Sequence, residues 1–389
     1  MRDDFLPFAR PSVSEDAINE VVESIRSGWL AMGPKTIRFE ENFSKYTGAS
    51  WSVSVNSATA GLHTTLLALD IGPGDEVITT PMTFAATVNT IMFAGARPVL
   101  ADIDRNTLNI DPDKIEKVVT KNTKAIIPVH FAGMPCDMDR IEAIADKYGL
   151  AIIEDAAHAL GASYKGRKIG ADRGKRRASV FSFHPTKNIT TGEGGMICTG
   201  DEALAEKATV LRQNGMSKGA WNRYAAKGSA NYDIFFPGLK YTMMDIQAAI
   251  GDSQLRELGS FNARRKEIVS FYMEELSKAE GLILPKPAPW EHEHSWHIFT
   301  PLVDTEKLGM SRDDFMAEMK KRNIGTALHY QAIHLFTCFS EATGLGRGSL
   351  PEAEYVSDRI VSLPLFPAMT DRDARDVVEA VFEICGKKS

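Results

Sequence analysis

The sequence predicts an α/β fold, in which a large domain with a mostly parallel sheet is followed by a smaller α+β domain. Short apolar runs typical of buried strands alternate with helical segments through about the first 200 residues, as in βαβ units. Near Leu255 the sequence changes to long polar helical segments, with a proline-rich linker at residues 284–289. We therefore expect a large domain with an N-terminal arm over residues 1–253 and a small domain over residues 254–389.

The first predicted elements are two helices. Ser12 and Glu15 match a capping box, and apolar residues at helical spacing follow, so we expect a helix that ends near Gly28. An irregular loop that contains Trp29 leads to a second predicted helix over Thr36–Tyr46.

Strands and helices then alternate. The apolar runs predict strands at Ser52–Val55, Asp75–Thr80, Arg97–Ala101, Ala125–Val129, Ala151–Glu154 and Ser179–Phe183. Helical spacing predicts intervening helices at Leu62–Leu69, 81–94, Pro112–Val119 and Asp137–Tyr148. In the C-terminal part we expect helices at Phe261–Ala279, Ser311–Arg322 and Asp371–Cys385, and strands at Trp296–Val303 and Gly325–His329.

Composition excludes several classes of protein. The chain has 389 residues, of which 43% are hydrophobic and 25% charged, which is ample for a core and two domains. Its formal net charge of −6 argues against a general nucleic-acid binder. The four cysteines are far apart, so they indicate neither a disulfide framework nor a zinc site and fit a reducing cytoplasm. The start does not resemble a signal peptide, and no apolar run approaches the roughly 18 residues of a membrane helix, so we expect a cytoplasmic protein.

The segment from Ser182 to Gly195 carries the most informative residue, Lys187, which lies between an apolar strand and a glycine-rich turn. A lysine at the mouth of a buried strand is unusual, because burial of an ammonium group is costly. A Schiff base with a carbonyl cofactor resolves this, since the lysine then carries no free ammonium. Most single lysines are plain surface residues, so this interpretation depends on the neighbours of Lys187.

Three other positions lie at predicted strand ends or just beyond them. Asp155 ends a buried strand, and a lysine for an aldehyde with an acid for a pyridine nitrogen is the minimal set for pyridoxal 5'-phosphate. Ser57 starts a helix, where free amides suit an anion such as phosphate, although simple N-capping also explains it. Phe84 lies near another helix start and could stack on a cofactor ring. Because strand ends share one edge of a parallel sheet, this convergence predicts a cofactor site.

The segment Arg167–Arg177 is rich in basic residues. We favour a solvated surface loop, and binding of a pyrophosphate group is the alternative.

Several motifs point to a known family. They are Ser27-Gly-Trp, Gly33-Pro-Lys, Ser57-Ala-Thr-Ala-Gly, Gly74-Asp-Glu-Val-Ile-Thr, Glu154-Asp-Ala-Ala-His-Ala, Phe181-Ser-Phe-His and Lys187-Asn-Ile-Thr. With them the chain resembles, nearly end to end, the DegT/DnrJ/EryC1/StrS family of pyridoxal phosphate-dependent sugar aminotransferases, which have the type I, aspartate aminotransferase-like fold. The motifs are most similar to those of the branch whose enzymes exchange an amino group between UDP-4-amino-4-deoxy-L-arabinose and oxoglutarate. The segments Pro185-Thr186 and Thr191-Gly-Glu lean toward other sugar aminotransferases.

The resemblance implies roles for individual residues. Lys187 would carry the cofactor and shuttle a proton, and Asp155 would pair with the pyridine nitrogen. The phosphate of the cofactor would be held by Ala58, Thr59 and Ser182. Phe84 would stack on the cofactor ring, and His158 would lie beside the cofactor's hydroxyl group. The sugar would lie against His329 and Tyr330, with Trp29 and His184 as further candidates. Members of the family are typically homodimers whose active sites lie at the interface. The loop at Lys240 of one protomer would then reach the cofactor phosphate in the active site of the other protomer.

The implied reaction is transfer of an amino group from glutamate to the C4 keto group of a nucleotide-linked sugar, with UDP as the expected nucleotide. The product would be a 4-amino sugar for a surface glycan or for lipid A of lipopolysaccharide. One alternative substrate is a 4-keto-6-deoxyhexose nucleotide, of the bacillosamine, pseudaminate or perosamine type. A sugar dehydratase of the same fold is disfavoured because Lys187 is present, where some dehydratases of this family carry histidine. A non-catalytic sensor is disfavoured because both Lys187 and Asp155 are kept.

Overall fold

A computed structural model describes residues 2–216 and 233–386, and a seven-stranded sheet lies at its centre. The strands of this sheet are β1 (Trp51–Val55), β2 (Glu76–Thr79), β3 (Arg97–Leu100), β4 (Thr123–Ile127), β5 (Ala151–Asp155), β8 (Arg177–Ser182) and β9 (Gly195–Thr199). Their order is β1-β9-β8-β5-β4-β2-β3, and the neighbouring pairs from β8 to β3 are parallel. Strand β9 is antiparallel to both β1 and β8. The predicted α/β fold with a mostly parallel sheet is confirmed.

Helices cover both faces of the sheet. The helices before and around it are α1 (Glu15–Ser27), α2 (Pro34–Thr47), α3 (Ala58–Ala68), α4 (Ala85–Phe93), α5 (Pro112–Val118), α6 (Met138–Tyr148) and α7 (Glu202–Leu211). Alternate strand residues face opposite sides, so Ile152 and Phe181 pack into one apolar layer and Ile153 and Val180 into the other. This burial on both faces explains why the strands read as continuous apolar runs.

The predicted capping box at Ser12 is wrong. Helix α1 begins at Glu15, and the side chain of Ser14 accepts a hydrogen bond from the N–H of Ala17. Two serines lie close together here, and the later one occupies the N-cap position. Gly28 ends the helix in a left-handed conformation with a φ of 76°, as expected for a C-terminal glycine.

The remaining elements lie mainly in the C-terminal part. Short strands are β6 (Ser163–Tyr164), β7 (Arg167–Lys168), β10 (Leu282–Ile283), β11 (His292–Glu293) and β12 (Leu302–Val303). The helices are α8 (Asp245–Leu276), α9 (Thr305–Leu308), α10 (Arg312–Lys321), α11 (Thr337–Thr343), α12 (Pro351–Ser357) and α13 (Asp371–Cys385). Of the strand predicted at Trp296–Val303 only Leu302–Val303 is a strand, and the strand predicted at Gly325–His329 is wrong, because these segments otherwise form isolated bridges such as that between Ala327 and Ser362.

Helix α8 begins 16 residues before the predicted start at Phe261 and runs for 32 residues. It packs against α1 and α2 in its first half and against α13 further on. The proposed boundary between residues 253 and 254 falls inside this helix. The division of the chain into two domains stays a prediction.

An N-terminal arm crosses to the C-terminal part. Leu6 pairs with Ile324, since the N–H of Leu6 donates to the carbonyl of Asn323 and the N–H of Gly325 donates to the carbonyl of Leu6. Among the described helices, none is both long and apolar enough to cross a membrane. The residues that the structure describes contain no cluster of three or more His, Cys, Asp or Glu side chains that could hold a metal ion.

Candidate active site

A cavity of about 740 Å³ opens at the carboxyl ends of β1, β5 and β8. Its wall combines residues that follow these strands, the start of α4, the segment 327–331 and one residue of the N-terminal arm. Residues of the wall include Phe8, Ser57, Ala58, Thr59, Phe84, Asp155, His158, Ser182, His184, Lys187, Glu193, His329 and Tyr330. The four positions predicted at the sheet edge therefore line one cavity.

Lys187 lies on the turn that follows β8. Its backbone N–H donates to the carbonyl of His184 at 2.9 Å, which closes the turn. The next residue, Asn188, is buried and donates to the carbonyl of Ser295 and to the side chain of Asn262. These bonds hold the turn against α8. Burial lowers the pKa of Lys187 to about 8, and the nearby Asp155 carboxylate acts in the opposite direction.

Asp155 is the last residue of β5, and its carboxylate is fixed from two sides. Thr87 on α4 donates to Oδ2 at 2.7 Å, and the N–H of Ala157 donates to Oδ1 at 3.2 Å. The hydroxyl of Thr87 also bonds that of Thr83 at 2.7 Å. Burial raises the pKa of Asp155, whereas the bonds from Thr87 and Ala157 and the charge of Lys187 lower it. The sequence reasoning missed Thr87; its place four residues after Thr83, at a helix start, was the available signal.

The N-terminus of α3 forms a concave anion-binding surface. Ser57 caps the helix by accepting from the N–H of Ala60. A helix leaves its first N–H groups without intrahelical partners, so those of Ala58 and Thr59 remain for a ligand. Gly195 on β9 permits this arrangement, because a Cβ there would lie 2.7 Å from the backbone nitrogen of Ala58. The hydroxyl-bearing Ser182 lies in the same wall.

His158 and Tyr330 form a hydrogen-bonded pair in the wall. The Nε2 atom of His158 lies 3.0 Å from the Tyr330 hydroxyl, and the two rings are stacked at 19°. Burial, together with the charge of Lys187, holds the pKa of His158 well below its ordinary value. Burial also raises the pKa of Tyr330, and the charge of Asp155 acts in the same direction. Both groups are therefore neutral at physiological pH.

His329 and Phe8 also line the cavity. The Nδ1 atom of His329 lies 2.8 Å from the Ser362 hydroxyl, and the Phe8 ring packs on its imidazole with centroids 5.2 Å apart. Burial lowers the pKa of His329 to about 3, and the charge of Lys187 adds to this. Phe8 was not predicted from the sequence. It belongs to the arm that pairs with the C-terminal part, and no local pattern marks it.

The sequence matches the DegT/DnrJ/EryC1/StrS aminotransferase family over residues 11–382. The chain belongs to this family. Among solved structures, Spr1654 of Streptococcus pneumoniae, described as a putative sugar aminotransferase and known in a pyridoxal phosphate form and a pyridoxamine phosphate form, superposes with a TM-score of 0.89. It is 33% identical, and the comparison with its pyridoxamine form covers 97% of this chain and 98% of that one.

Two further proteins similar to this chain come from Bacillus subtilis and Helicobacter pylori. The spore coat polysaccharide biosynthesis protein SpsC of Bacillus subtilis is 47% identical over 387 residues, which cover 98% of each chain. PseC of Helicobacter pylori, an aminotransferase in pseudaminic acid biosynthesis, is 27% identical with a TM-score of 0.89, and the match covers 98% of this chain and 99% of PseC. The protein is accordingly a pyridoxal phosphate-dependent sugar aminotransferase.

The residues that line the cavity fit pyridoxal phosphate chemically. A helix N-terminus and a serine hydroxyl suit a phosphate, a buried carboxylate suits a pyridine nitrogen, and a lysine with a lowered pKa suits an aldehyde. The ring of Phe84 is 62% exposed although it is apolar, and it lies in the cavity wall. The donors and acceptors needed by such a cofactor are thus present in one place.

Two residues predicted for the DegT-family site do not line this cavity. Trp29 lies on the turn after α1, where its indole N–H donates to the carbonyl of Met32. Lys240 is exposed, in a segment whose backbone pairs with Gln213. Their predicted roles stay predictions.

The basic segment Arg167–Arg177 does not line the cavity of this chain. Arg177 begins β8, whereas the cavity lies beyond Ser182 at the other end of that strand. Arg173 is not a solvated residue either, because its side chain is only 4% exposed and pairs with Glu142 and, at 3.8 Å, with Glu154. The surface-loop interpretation therefore holds for Arg167, Lys168, Lys175 and Arg176, which are exposed, and fails for Arg173, which is part of a buried ion-pair network.

Proposed function

We propose that the enzyme transfers an amino group from glutamate to the C4 keto group of a nucleotide-linked sugar, with UDP as the nucleotide. The observation that supports this most directly is that Lys187 and Asp155 share one cavity, which His329 and Phe8 also line. The 4-amino sugar would be used in a surface glycan, or alternatively in lipid A. The similarity to SpsC favours the surface glycan.

Different residues are assigned to the phosphate, the ring and the pyridine nitrogen of the cofactor. The N–H groups of Ala58 and Thr59 and the hydroxyl of Ser182 hold the phosphate, and Phe84 stacks on the ring. Asp155, fixed by Thr87, holds the proton on the pyridine nitrogen. When bound, pyridoxal phosphate supplies an electron sink for loss of a proton next to the amino group.

Lys187 moves the proton in this scheme. With a pKa of about 8, about a tenth of its free amine is unprotonated at pH 7, whereas for an ordinary lysine the unprotonated fraction is below about a thousandth. Lys187 would accept the proton from the Cα atom of the amino donor and would later donate it again. Glutamate and the keto sugar use the same cavity in turn, so we expect ping-pong kinetics.

We further propose a homodimer with shared sites. The phosphate of the cofactor needs cationic partners, and among the described residues of the cavity wall the only side chains that carry a positive charge or gain one are Lys187 and three histidines. Lys240 of the second protomer would supply a positive charge near the phosphate. Trp29 and His184 are candidates for contacts with the rest of the substrate.

A 4-keto-6-deoxyhexose nucleotide is the second candidate substrate, and the apolar part of the cavity lining supports it. Apolar side chains of Phe8, Leu328 and Phe336 lie there. A methyl group that a pentose lacks would be buried against them, which is worth about 0.8 kcal/mol, or about fourfold in affinity. The similarity to PseC supports the same class.

A half-reaction distinguishes these substrates. The protein is converted to its pyridoxamine phosphate form with glutamate, freed of the donor, and mixed with UDP-linked 4-keto-pentose and 4-keto-6-deoxyhexose in separate samples. We expect the visible absorption to return with one of these sugars and not with 3-keto sugars or free sugars. Failure of glutamate and of other amino donors to remove the visible band would contradict transamination and leave a dehydratase.

Variants test the assigned residues. Lys187→Ala should abolish turnover while the cofactor still binds without a covalent bond. Asp155→Asn should keep the cofactor but lower kcat by orders of magnitude, because the neutral amide does not stabilise a protonated pyridine. Retained turnover in Lys187→Ala would contradict the role of Lys187, and a normal rate in Asp155→Asn would contradict the role of Asp155.

A further inference from the structure

Both ring nitrogens of His158 are engaged by the protein itself. The backbone N–H of Ala132 donates to Nδ1 at 3.2 Å, and Nε2 lies 3.0 Å from the hydroxyl oxygen of Tyr330. A backbone N–H is a donor only, so Nδ1 is the unprotonated acceptor nitrogen. An imidazole carries at least one proton, which must therefore be on Nε2.

This tautomer sets the direction of the second bond. His158 Nε2–H donates to the oxygen of Tyr330, and the hydrogen of the Tyr330 hydroxyl then points away from His158. Among the residues that the structure describes, that hydroxyl has no second partner. Its oxygen belongs to a residue of the cavity wall, so its hydrogen is available to a ligand there.

The geometry around His158 holds this arrangement in place. The carbonyl of His158 accepts from the Ser295 hydroxyl at 2.8 Å, and the carbonyl of Ala132 accepts from the N–H of His297 at 3.0 Å. The imidazole of His297 packs against that of His158, with centroids 4.4 Å apart. Ser295 and His297 thus hold His158 in place, and its ring has no further donor for a ligand in the cavity.

Tyr330 lies where a ring ligand would need a donor. Its ring centroid is 6.2 Å from that of Phe84, and Phe131 packs edge-on against it. Asp155 and Lys187 lie in the same cavity wall. The Tyr330 hydroxyl therefore belongs to the same cavity lining as Asp155 and Phe84, and it can donate to an oxygen on the pyridine ring of a bound cofactor.

We propose that Tyr330 donates the hydrogen bond to the ring hydroxyl oxygen of pyridoxal phosphate and that His158 acts behind it as a positioning residue. This assignment rests on the placement of the cofactor under the proposed function. It differs from the role that family resemblance suggests, in which His158 itself is next to that oxygen. It needs no assumption about the sugar.

The cofactor's visible spectrum provides the test. When the cofactor is bound at Lys187, its visible band changes with pH as the proton shared with the ring oxygen is lost. A hydrogen bond to the resulting oxyanion favours the deprotonated form, so Tyr330→Phe should raise the pH midpoint by about one unit or more. Tyr355→Phe makes the same chemical change outside the cavity and should leave the midpoint unchanged.

A histidine variant separates direct from indirect donation. Asparagine in His158→Asn has an oxygen that can still accept from Ala132, but it lacks Nε2. Tyr330 then keeps its hydrogen and loses only its orientation, so the midpoint should rise by less than in Tyr330→Phe. A shift in His158→Asn with none in Tyr330→Phe would overturn the proposal, as would an unchanged midpoint in both variants.

The tautomer is measurable without cofactor. Long-range 1H–15N NMR correlations of the apoprotein should show a protonated Nε2 and an unprotonated Nδ1 for His158, and a protonated Nδ1 would overturn the proposal. Thermal unfolding of each variant establishes that it is folded before spectra are compared. If no nucleotide sugar is aminated but the spectral shift occurs, the proposed function fails and the Tyr330 assignment stands.

Discussion

At the scale of single residues, neighbours in the chain have unrelated tasks because a strand alternates its faces. Asp155 faces the cavity, whereas Glu154 is buried on the other face, with His130 Nε2 at 2.8 Å and Ser179 donating to it at 2.9 Å. Burial acts to raise the pKa of Glu154, but the bond to His130 and the charge of Arg173 bring it below its ordinary value. The motif Glu154-Asp155 therefore combines a structural ion pair with a site residue.

The first prediction concerns Thr87. Thr87→Val should lower kcat about tenfold, because the Asp155 carboxylate loses one of its two hydrogen bonds. In the native protein, the hydrogen bond from Thr87 lowers the pKa of Asp155. Removal of this bond should therefore raise the pKa of Asp155 and move the acidic limb of the kcat profile to higher pH. Steady-state kinetics across pH measure both effects. Thr87→Ser should restore the profile, and an unchanged limb in Thr87→Val would contradict the role.

The second prediction concerns the protonation of Lys187. Only the unprotonated amine reacts with an aldehyde, and the pKa of Lys187 is about 8 instead of 10.5. The rate of cofactor capture by the apoprotein should therefore rise with pH and level off above about pH 8. Stopped-flow absorbance measures this rate. A rate that still increases up to pH 10 would show that Lys187 titrates as an ordinary lysine.

At the scale of elements, the sequence predicted those that have a local signature. The apolar run Ala151–Glu154 is observed as Ala151–Asp155, and helix Asp371–Cys385 has the predicted bounds. Residues 296–301 form an apolar run without the expected strand, because the backbone near it bonds to the 132–133 turn and not to a neighbouring strand. The start of α8 was missed because its first half buries the polar residues Asp252, Ser253 and Gln254, which hide its helical pattern.

The same distinction applies to the site. Lys187 and Asp155 were predictable because burial of a charged residue at a strand end is unusual. Thr87 and Phe8 were not, since a threonine at a helix start and a phenylalanine near the N-terminus are ordinary, and only tertiary contacts bring them to the cavity.

The third prediction tests the N-terminal arm. Phe8→Ala should raise the KM for the keto sugar several-fold, because it removes the ring that packs on His329, and should leave the glutamate half-reaction unchanged. Phe5→Ala is the control, because Phe5 is in the same arm but is absent from the cavity wall. Equal effects of Phe8→Ala on both half-reactions would argue against a role on the sugar side.

The fourth prediction tests the contact between β9 and α3. In Gly195→Ala, the added methyl group would lie 2.7 Å from the nitrogen of Ala58, so the helix start must move. We expect the cofactor to dissociate at least about tenfold more readily, which equilibrium dialysis measures. Gly259→Ala on α8 adds a methyl group in open space and serves as the control. Unchanged cofactor binding in Gly195→Ala would mean that the helix start does not hold the phosphate.

At the scale of the whole molecule, the exposed apolar residues favour association. Phe93 is 70% exposed and Phe235 59%, and Phe84 is exposed within the cavity wall itself. In the proposed dimer, a second protomer would cover such residues and bring Lys240 to the site.

The fifth prediction uses mixed dimers. Lys187→Ala and Lys240→Ala should each be inactive, but a mixed dimer would have one site with both defects and one intact site. After free subunit exchange, half of the dimers are mixed, so about a quarter of the wild-type activity should return. Activity assays after exchange measure this, and sedimentation establishes the dimer. No recovery would indicate that Lys240 serves the site of its own chain.

The pairing of Leu6 with Ile324 has a consequence for the order of events during synthesis. More than three hundred residues separate these partners, so the arm leaves the ribosome long before the segment that receives it. At about 5–20 residues per second, the wait is roughly 15 to 60 seconds. Through that interval Leu6 and Phe8 have no native partner, and the sugar side of the cavity stays open. A nascent chain is therefore exposed to wrong pairing at its first residues until nearly all of it has been translated.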